Sequence, residues 1–505
     1  MGTQRTGRQR TGTRLAGVTA SLVATTLLVG CTSVTERPQA EDRGPGKAVG
    51  GAQQADPPLR LTTTKHRQST GVVAEGGADA PYNYGPTVML DGELTRMWWC
   101  SQYGKARPAG DDILYATTRS LTEKFTGPGG RIPRAVFSGR PGGFDGMHTC
   151  DPSVVKVDGV YYLYYTGAKG AHSFGNAIGL ATSRDGIHWT RANGGKPIIG
   201  PAGDTERDNS YGAGQPAVVF LDGWFYLMFT DTTGLVAGWN GAGQFLLRAP
   251  DPTFTAGVEA LGPTGFRRVP RTATPRETSL VDAFSADLMW VEVLDAFVIA
   301  HQTADGTTLT FWNRDFTASP HPPLALPGPW AEGPGLVRTR HGHAPISAHD
   351  PCGTIAFDVV RATADRGAPT NLRHFGMDVH GGSGCAQQEG AMRVLNGYAM
   401  PSPESTMDLV VDGNLIRVER RSVAVRLATR VLEHRPPGLA DLPVTARIQT
   451  GAPMVRSASS GPGLVLDDGR LWPVRAPGIP ELNGSEIRTI DEARWSAYPP
   501  GPTLG

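Results

Sequence analysis

Three acidic residues stand near the starts of similar segments of this chain, where their carboxyl groups could carry out acid–base chemistry. Asp151 opens the sequence DPSVV, Asp287 stands in SADLMW, and Glu332 opens EGPGLV. A protonated carboxyl can help an oxygen leave, while an ionised one can activate water or attack carbon. Cleavage of a glycosidic bond needs this pair, and a third acid can keep the two pKa values apart. The three acids are therefore candidate catalytic residues.

The segments that carry these acids recur along the chain. DPSVV is followed by an Asp-Gly pair and the aromatic run YYLYY, and a matching segment reads QPAVV, Asp-Gly and FYLMF from Gln215. An apolar strand, an Asp-Gly turn and a second strand predict a β-hairpin. Five such units, each of roughly 50–60 residues, lie between Tyr82 and Gly382. We therefore predict radially repeated sheets whose first strands surround one axis, with the acids meeting at its mouth.

The composition agrees with a loop-rich, all-β protein. The 505 residues include 66 Gly and 41 Pro, and long helical periodicities are scarce. The formal net charge is +1, which leaves no broad basic surface, so we do not expect nucleic acid as a partner. We expect the protein to be a monomer.

Residues 1–30 have the features of a secretory signal: a basic stretch, an apolar run and small residues at its end. Cys31 follows Leu-Val-Gly directly, which resembles a bacterial lipoprotein signal in which that cysteine is lipidated. This interpretation predicts export and a lipid anchor on the outer face of the bacterial cell membrane. An ordinary signal peptide with an incidental cysteine is the alternative. Residues 31–78 are polar and rich in Gly, Pro and Gln, and are predicted to form a flexible tether.

Four further cysteines, Cys100, Cys150, Cys352 and Cys385, follow in the chain. An even number in an exported protein suggests two disulfides, for which three pairings exist. Sequence proximity alone favours Cys100–Cys150 and Cys352–Cys385. The sequence contains no Cys-x-x-Cys pair that would indicate zinc.

Residues 389–505 differ from the preceding units. The segments VVDGNLIRV and LDDGRLWPV resemble each other, and each combines a turn ending in Asp-Gly with an aliphatic strand. We predict a small β-rich C-terminal module with a two-copy repeat. Two roles remain open for it: extra strands packed on the preceding domain, or binding to a cell wall or glycan.

On the basis of the three acid-bearing motifs, residues 79–388 resemble the five-bladed β-propeller glycosidases of glycoside hydrolase family 43 and its relatives. Their pattern is an Asp at the start of one blade, a second Asp two blades later and a Glu one blade further. The resemblance implies that Asp151 is the general base, Asp287 orients groups and modulates their pKa, and Glu332 is the general acid. This chain departs from the pattern because the unit at residues 82–138 precedes the base.

Other residues near the acids are expected to bind the sugar. The candidates are Tyr84, Trp99, His148, Gln215 and His343. Gln215 matches the position of Asp151 in the next unit, and His148 lies three residues before Asp151. Trp99 follows Trp98 on an alternating strand, so the two should face different surfaces. No cofactor is required, although related propellers suggest a structural calcium ion in the channel.

The resemblance implies an exported glycoside hydrolase that cleaves furanosidic or xylosidic linkages, with arabinofuranosides and arabinans favoured. An inverting mechanism would place the carboxyl groups of Asp151 and Glu332 about 6.5–9.5 Å apart. The alternative is a non-catalytic, glycan-binding surface lipoprotein on the same fold. A transglycosylase or phosphorylase is a third interpretation, but the sequence contains no Gly-rich phosphate loop that would favour a phosphorylase.

Overall fold

The computed structural model describes residues 60–102, 110–170, 174–304 and 306–505. The predicted all-β class is confirmed, because β-sheets dominate this part of the chain. Across these residues, no helix has the length and apolar character needed to cross a membrane. The predicted signal segment 1–30 and the lipidation site Cys31 lie outside the described residues.

The repeated units form five groups of strands, the first to fifth sheets, preceded by one strand, β1 (Thr62–Gln68). Backbone pairing joins the first and fifth of them into one continuous eight-stranded sheet. The first sheet contains β2 (Tyr84–Asp91), β3 (Leu94–Gln102), β4 (Asp111–Thr118) and β5 (Arg134–Phe137), and the second contains β6 (His148–Val157), β7 (Val160–Ala168), β8 (Ala177–Ser183) and β9 (Thr190–Arg191). The third contains β10 (Ala213–Leu221), β11 (Trp224–Asp231), β12 (Gln244–Ala249), β13 (Glu259–Gly262) and β14 (Gly265–Arg268). The fourth contains β15 (Ala286–Val291), β16 (Ala296–Thr303), β17 (Gly306–Trp312) and β18 (Leu324–Pro327), and the fifth contains β19 (Glu332–Arg338), β20 (Thr354–Asp365) and β21 (Pro369–His380).

The Asp-Gly pairs form the predicted hairpin turns. Asp158 and Gly159 have φ angles of 49° and 77°, and Asp222 and Gly223 have φ angles of 50° and 80°. Two successive residues with positive φ define the turn whose twist matches antiparallel strands. These turns join β6 to β7 and β10 to β11, so the hairpin prediction is confirmed at both places.

The fifth sheet is completed by the N-terminal strand. β1 pairs antiparallel with β21, and Thr62 lies opposite His380. This corrects the prediction of a flexible tether over residues 31–78, because Thr62–Gln68 has its backbone bonded into a sheet edge. A strand of polar residues shows no apolar periodicity when its side chains face solvent, and most of β1 is exposed. Residues 31–59 of the predicted tether lie outside the described part.

The first strands of the five sheets surround one axis. β2 lies beside β6, β6 beside β10, β10 beside β15, and β15 beside β19, while β19 pairs in parallel with β2. Arg338 on β19 is 1% exposed and reaches the other four first strands. Its guanidinium donates to the carbonyls of Leu288 (2.7 Å) and Val218 (3.1 Å) and to the hydroxyls of Thr87 (3.0 Å) and Ser153 (3.4 Å).

Aromatic side chains fill the spaces between neighbouring sheets. Trp98 and Tyr161 belong to one buried cluster between the first and second sheets. Tyr226, Trp290 and Phe297 belong to another between the third and fourth. The aromatic runs of the hairpins therefore provide packing between sheets, which holds the first strands at fixed positions around the axis.

Two smaller sheets follow. One contains β22 (Tyr398–Pro401), β23 (Met407–Val411), β24 (Asn414–Val418), β25 (Arg430–Val431) and β26 (Ala446–Ile448), and the other contains β27 (Met454–Arg456), β28 (Pro462–Val465), β29 (Leu471–Pro473) and β30 (Ile487–Thr489). The α-helices of the described part are α1 (Gln388–Val394), α2 (Arg421–Leu427), α3 (Ile479–Asn483) and α4 (Glu492–Ala497). Each similar segment forms a hairpin, β23–β24 or β28–β29; the repeat relation itself stays a prediction.

The first C-terminal sheet packs directly on the repeated sheets. One buried cluster contains Val291 and Phe357 from the fourth and fifth sheets together with Leu395, Met400 and Leu415. Residues 60–505 belong to one compact unit. This continuity favours the packing role over that of a separate binding module, because the shared apolar surface would otherwise face water.

Both predicted disulfide pairs are present. Cys100 on β3 is joined to Cys150 on β6, with their Cα atoms 4.9 Å apart. Cys352 is joined to Cys385, with their Cα atoms 5.2 Å apart. The first bond links the first sheet to the second beside the start of β6, and therefore beside Asp151.

Candidate active site

Four of the five first strands carry a bulge immediately before a proline. The residue before the proline has a positive φ in each case: Gly85 (54°), Asp151 (46°), Gln215 (52°) and Gly333 (58°). The pairing register shifts at the same places. A bulge redirects side chains, and a positive φ is uncommon for residues other than glycine. Asp151 and Gln215 therefore hold strained positions, which is typical of functional sites.

A cavity of about 360 Å³ opens at the level of these bulges. Its lining includes Tyr82, Tyr84, Asp111, His148, Asp151, Thr166, Asn176, Tyr211, Gln215 and Glu332. The structure thus brings together two of the predicted catalytic acids and three of the predicted binding residues. The volume lies within the range of small-molecule sites.

Asp151 lies at the start of β6 with its carboxyl at this cavity. Burial raises the pKa of Asp151 to about 7; a hydrogen bond with Thr166 opposes this shift, and the charge of Asp111 adds to it. The Tyr211 hydroxyl lies 3.5 Å from Oδ2 of Asp151 and also stabilises the ionised form. Asp151 therefore changes its protonation state near neutral pH.

Glu332 enters the same cavity from the start of β19. Burial raises the pKa of Glu332 to about 8, and the negative charges of Asp151 and Asp111 contribute to the increase. The amide of Gln215 donates to Oε1 of Glu332 at 3.3 Å. Glu332 thus keeps its proton to higher pH than Asp151, which is the order that an acid and a base require.

Asp287 lies deeper along the axis than the other two acids. It lines a small cavity whose lining also includes Asp151, and it is 6% exposed. Its carboxylate accepts from the backbone N–H groups of Leu288 (2.9 Å) and Leu336 (2.8 Å), and Arg338 lies 3.1 Å from Oδ1. Burial raises the pKa of Asp287, while Arg338 opposes this. Its bonds join β15 to β19, and an orienting role stays a prediction.

The cavity also contains residues that the sequence analysis did not single out, chiefly Asp111 and Tyr82. The Tyr82 hydroxyl donates to Oδ1 of Asp111 at 2.5 Å, and Nδ1 of His148 lies 3.1 Å from Oδ2. Asp111 reaches the cavity because β4 starts at the same end of the first sheet as β2. In the sequence, the two adjacent acids at the start of β4, Asp111 and Asp112, were the signal that could have indicated this site residue.

Trp99 does not reach the cavity, which corrects its assignment as a binding residue. It is 0% exposed, and its Nε1 donates to Oδ1 of Asn83 at 2.8 Å. Trp98 is equally buried. The side chains of Trp98 and Trp99 lie on opposite faces of β3, as predicted. Both are buried because other parts of the protein cover both faces of this strand.

His343 lies at the opposite end of the axis and is likewise not a residue of this cavity. Nδ1 of His343 lies 2.5 Å from Oε1 of Glu292, and Nε2 lies 2.7 Å from the carbonyl oxygen of Phe220. β19 runs from Glu332 at the mouth away from the cavity, and its seven residues span roughly 20 Å. Closeness to Glu332 in sequence therefore does not bring His343 close to the acid in space.

Among the described residues, one group of three candidate metal ligands lies within coordination reach: Cys100, Asp111 and Cys150. The two cysteines form a disulfide, so their sulfur atoms are not thiolate ligands. A calcium ion in the channel stays a prediction. Beside Asp287 it would share the axis with the Arg338 guanidinium, and the two cations would repel each other.

Comparison with solved structures finds glycoside hydrolases as neighbours at low identity. A family 117 glycoside hydrolase from the marine bacterium Zobellia galactanivorans is 15% identical with a TM-score of 0.43, over 65% of this chain and 92% of that chain. An α-L-arabinofuranosidase from Podospora anserina is 11% identical with a TM-score of 0.39, over 65% and 100%. The catalytic domain of a family 62 α-L-arabinofuranosidase from Coprinopsis cinerea is 11% identical with a TM-score of 0.40, over 63% and 97%. No family model and no curated protein matches the chain.

Proposed function

We propose that this protein is a glycoside hydrolase and that its five ring-forming sheets are the blades of a five-bladed β-propeller. One observation carries the proposal: two carboxyl groups share one cavity, with the pKa of Glu332 raised to about 8 and that of Asp151 to about 7. Glu332 is the general acid and Asp151 the general base. These electrostatics support the assignment, because near neutral pH one carboxyl is protonated while the other can ionise.

In the proposed reaction, Glu332 donates its proton to the glycosidic oxygen as the bond between that oxygen and the anomeric carbon breaks. Asp151 takes a proton from water as the water oxygen bonds to the same carbon. The products are a free alcohol and a sugar with inverted configuration, and exchange with solvent returns both carboxyl groups to their starting states. We propose inversion, which requires a carboxyl separation of about 6.5–9.5 Å.

The proposed substrates carry furanosidic or xylosidic linkages, with arabinofuranosides and arabinans favoured. The family 43-like order of Asp151, Asp287 and Glu332 supports this choice. We further propose that the protein is a monomer, exported and lipid-anchored through Cys31. The support for anchoring is the signal-like sequence of residues 1–30, followed directly by that cysteine.

The test is the release of sugar from a panel of aryl arabinofuranosides in both D and L forms, xylosides, fructosides and purified arabinans. Wild type, Glu332→Gln and Asp151→Asn are compared, with Asp158→Asn as a control in the turn between β6 and β7. We expect the control to be active and each cavity variant to lose about 100-fold or more in rate. NMR of the first-formed anomer reports inversion or retention.

Less than a tenfold loss in Asp151→Asn would contradict its role as the base. If wild type and variants bind a glycan equally but none releases sugar, the alternative of a non-catalytic glycan-binding lipoprotein is correct.

A further inference from the structure

A second cavity of about 410 Å³ adjoins the first. The two cavities share Tyr211, Gln215 and Glu332 in their linings, whereas Asp151 lines only the first. Glu332 therefore lies between them. If the proposed function holds, the bridging oxygen lies at Glu332, the sugar to be released lies with Asp151, and the leaving group lies in the second cavity.

The second cavity has a different chemical character from the first. Its lining includes the amides of Asn209 and Gln302, the hydroxyl of Ser285 and the ring of Phe284, and Glu332 is its one ionisable carboxyl among the described residues. With its amide oriented to suit both donors, Gln302 accepts from the backbone N–H groups of Glu332 (3.1 Å) and Gly333 (3.0 Å). Neutral hydrogen-bonding groups beside an aromatic ring suit an uncharged sugar better than a charged leaving group.

An exposed tryptophan lies on a connection that is hydrogen-bonded to Asn209, one of the residues that line this cavity. Trp239 lies between β11 and β12 and is 94% exposed. Asn209, which lines the cavity, donates from Nδ2 to the carbonyl of Asn240 at 2.9 Å. Arg207 donates to the carbonyl of Gly234 at 2.9 Å and also to that of Gly238. The segment that carries Trp239 is thus bonded to the segment that forms the cavity wall.

The exposure of Trp239 is not explained by packing within the protein. Its neighbours Leu235 and Val236 are also exposed, by 66% and 44%, so an apolar patch stands on this connection. A tryptophan ring that stays in water keeps about 150–250 Å² of mainly apolar surface unburied. The C–H face of a sugar ring can cover such a surface while its hydroxyl groups remain in water.

We propose that Trp239 is a platform for a further sugar of a neutral polysaccharide whose adjacent residue occupies the second cavity. The protein then recognises sugars carried on a chain through contacts that a small glycoside cannot make. This inference rests on the proposed function, which places the sugar to be released beside Asp151 and the leaving group in the second cavity.

The test compares Trp239→Ala and Trp239→Phe with wild type on two substrates of the same sugar, a polysaccharide and an aryl glycoside. Ile132→Ala is the matched control, because Ile132 is 65% exposed on the connection between β4 and β5. We expect Trp239→Ala to lower kcat/KM about tenfold on the polysaccharide and less than about twofold on the aryl glycoside. Trp239→Phe should keep most of the activity, and Ile132→Ala should match wild type. Equal losses on both substrates, or no loss on the polysaccharide, would overturn the proposal.

A binding measurement separates this inference from the proposed function. Wild type, Glu332→Gln and Glu332→Gln with Trp239→Ala are run in native gels that contain arabinan or xylan. We expect retardation of the first two proteins and its reduction in the third. If no substrate in the panel is cleaved, the proposed function fails, yet retardation that depends on Trp239 still supports the platform. Retardation that is absent or unchanged by Trp239→Ala overturns it.

Discussion

At the scale of single residues, the environment rather than the residue type separates the roles of the acids. Asp151 and Glu332 meet at one cavity, and burial raises the pKa of both. Asp151 has hydrogen bonds from Thr166 and Tyr211 that favour its ionised form. The negative charges of Asp151 and Asp111 raise the pKa of Glu332 and so favour its protonated form. Glu332 therefore keeps its proton to the higher pH of the two acids.

This pair predicts the pH dependence of activity. As the pH rises through about 7, Asp151 ionises and can act as a base. As it rises through about 8, Glu332 loses the proton that it must donate. We therefore expect kcat/KM to be greatest between these two values and to fall on both sides. A pH–rate profile on an aryl glycoside checks this; a plateau that extends unchanged to pH 10 would exclude Glu332 as the acid.

Asp111 should shift that profile. Its negative charge raises the pKa of both Asp151 and Glu332, so Asp111→Asn should move both limbs to lower pH. Asp365→Asn is the control, because Asp365 also acts on Glu332 but is exposed and screened by solvent. We expect a smaller shift in the control. An unchanged profile in Asp111→Asn would show that its charge does not reach the catalytic pair.

At the scale of the secondary structure elements, the first strands position the site. The bulges at Asp151 and Gln215 aim those side chains at the cavity, and the buried Arg338 holds the strands around the axis. Arg338 also forms an ion pair with Asp287. Hydrogen bonds and this ion pair therefore connect Asp287 to the first strands around the axis. Loss of the guanidinium would leave the buried Asp287 carboxylate without its cationic partner and the carbonyls of Val218 and Leu288 without this donor.

Arg338→Met should therefore destabilise the protein. We expect its free energy of unfolding to fall by about 3–5 kcal/mol, as for a broken buried ion pair. Arg268→Met provides the control, since Arg268 lies exposed on the outer strand β14 and should change stability by less than about 0.5 kcal/mol. Urea denaturation followed by tryptophan fluorescence measures both variants. Equal stability of the two would show that Arg338 is dispensable to the ring.

At the scale of the whole molecule, distant parts of the chain complete the ring of sheets. β1 supplies the outer strand of the fifth sheet, and the C-terminal sheet covers an apolar surface of the fourth and fifth sheets. The site therefore depends on segments that contribute none of its lining.

A chain that ends after residue 387 tests this dependence. Removal of the C-terminal segment uncovers Val291 and Phe357, which are 0% exposed in the complete protein. We expect lower soluble yield, increased binding of a hydrophobic dye and a lower Tm, because the uncovered apolar surface favours association. A truncated protein with unchanged Tm and activity would identify residues 388–505 as an independent module.

Features that depend on local sequence were predictable. The Asp-Gly turns and the alternation of the strands indicated hairpins, because turn type follows from two adjacent residues. The recurrence of those hairpins placed Asp151 and Glu332 at equivalent ends of different sheets, and the structure brings both to one cavity. The disulfide pairs followed from proximity in sequence and are present.

The tertiary structure alone decided which ends and faces meet. Asp111 lines the cavity because β4 starts at the same end of its sheet as β2. His343 lies far from the cavity because the whole length of β19 separates it from Glu332. Trp99 is buried because neighbouring groups cover its face of the strand. β1 pairs with the edge strand β21, which lies about 300 residues later in the sequence. These outcomes depend on contacts between residues distant in sequence, which local turn and strand preferences do not specify.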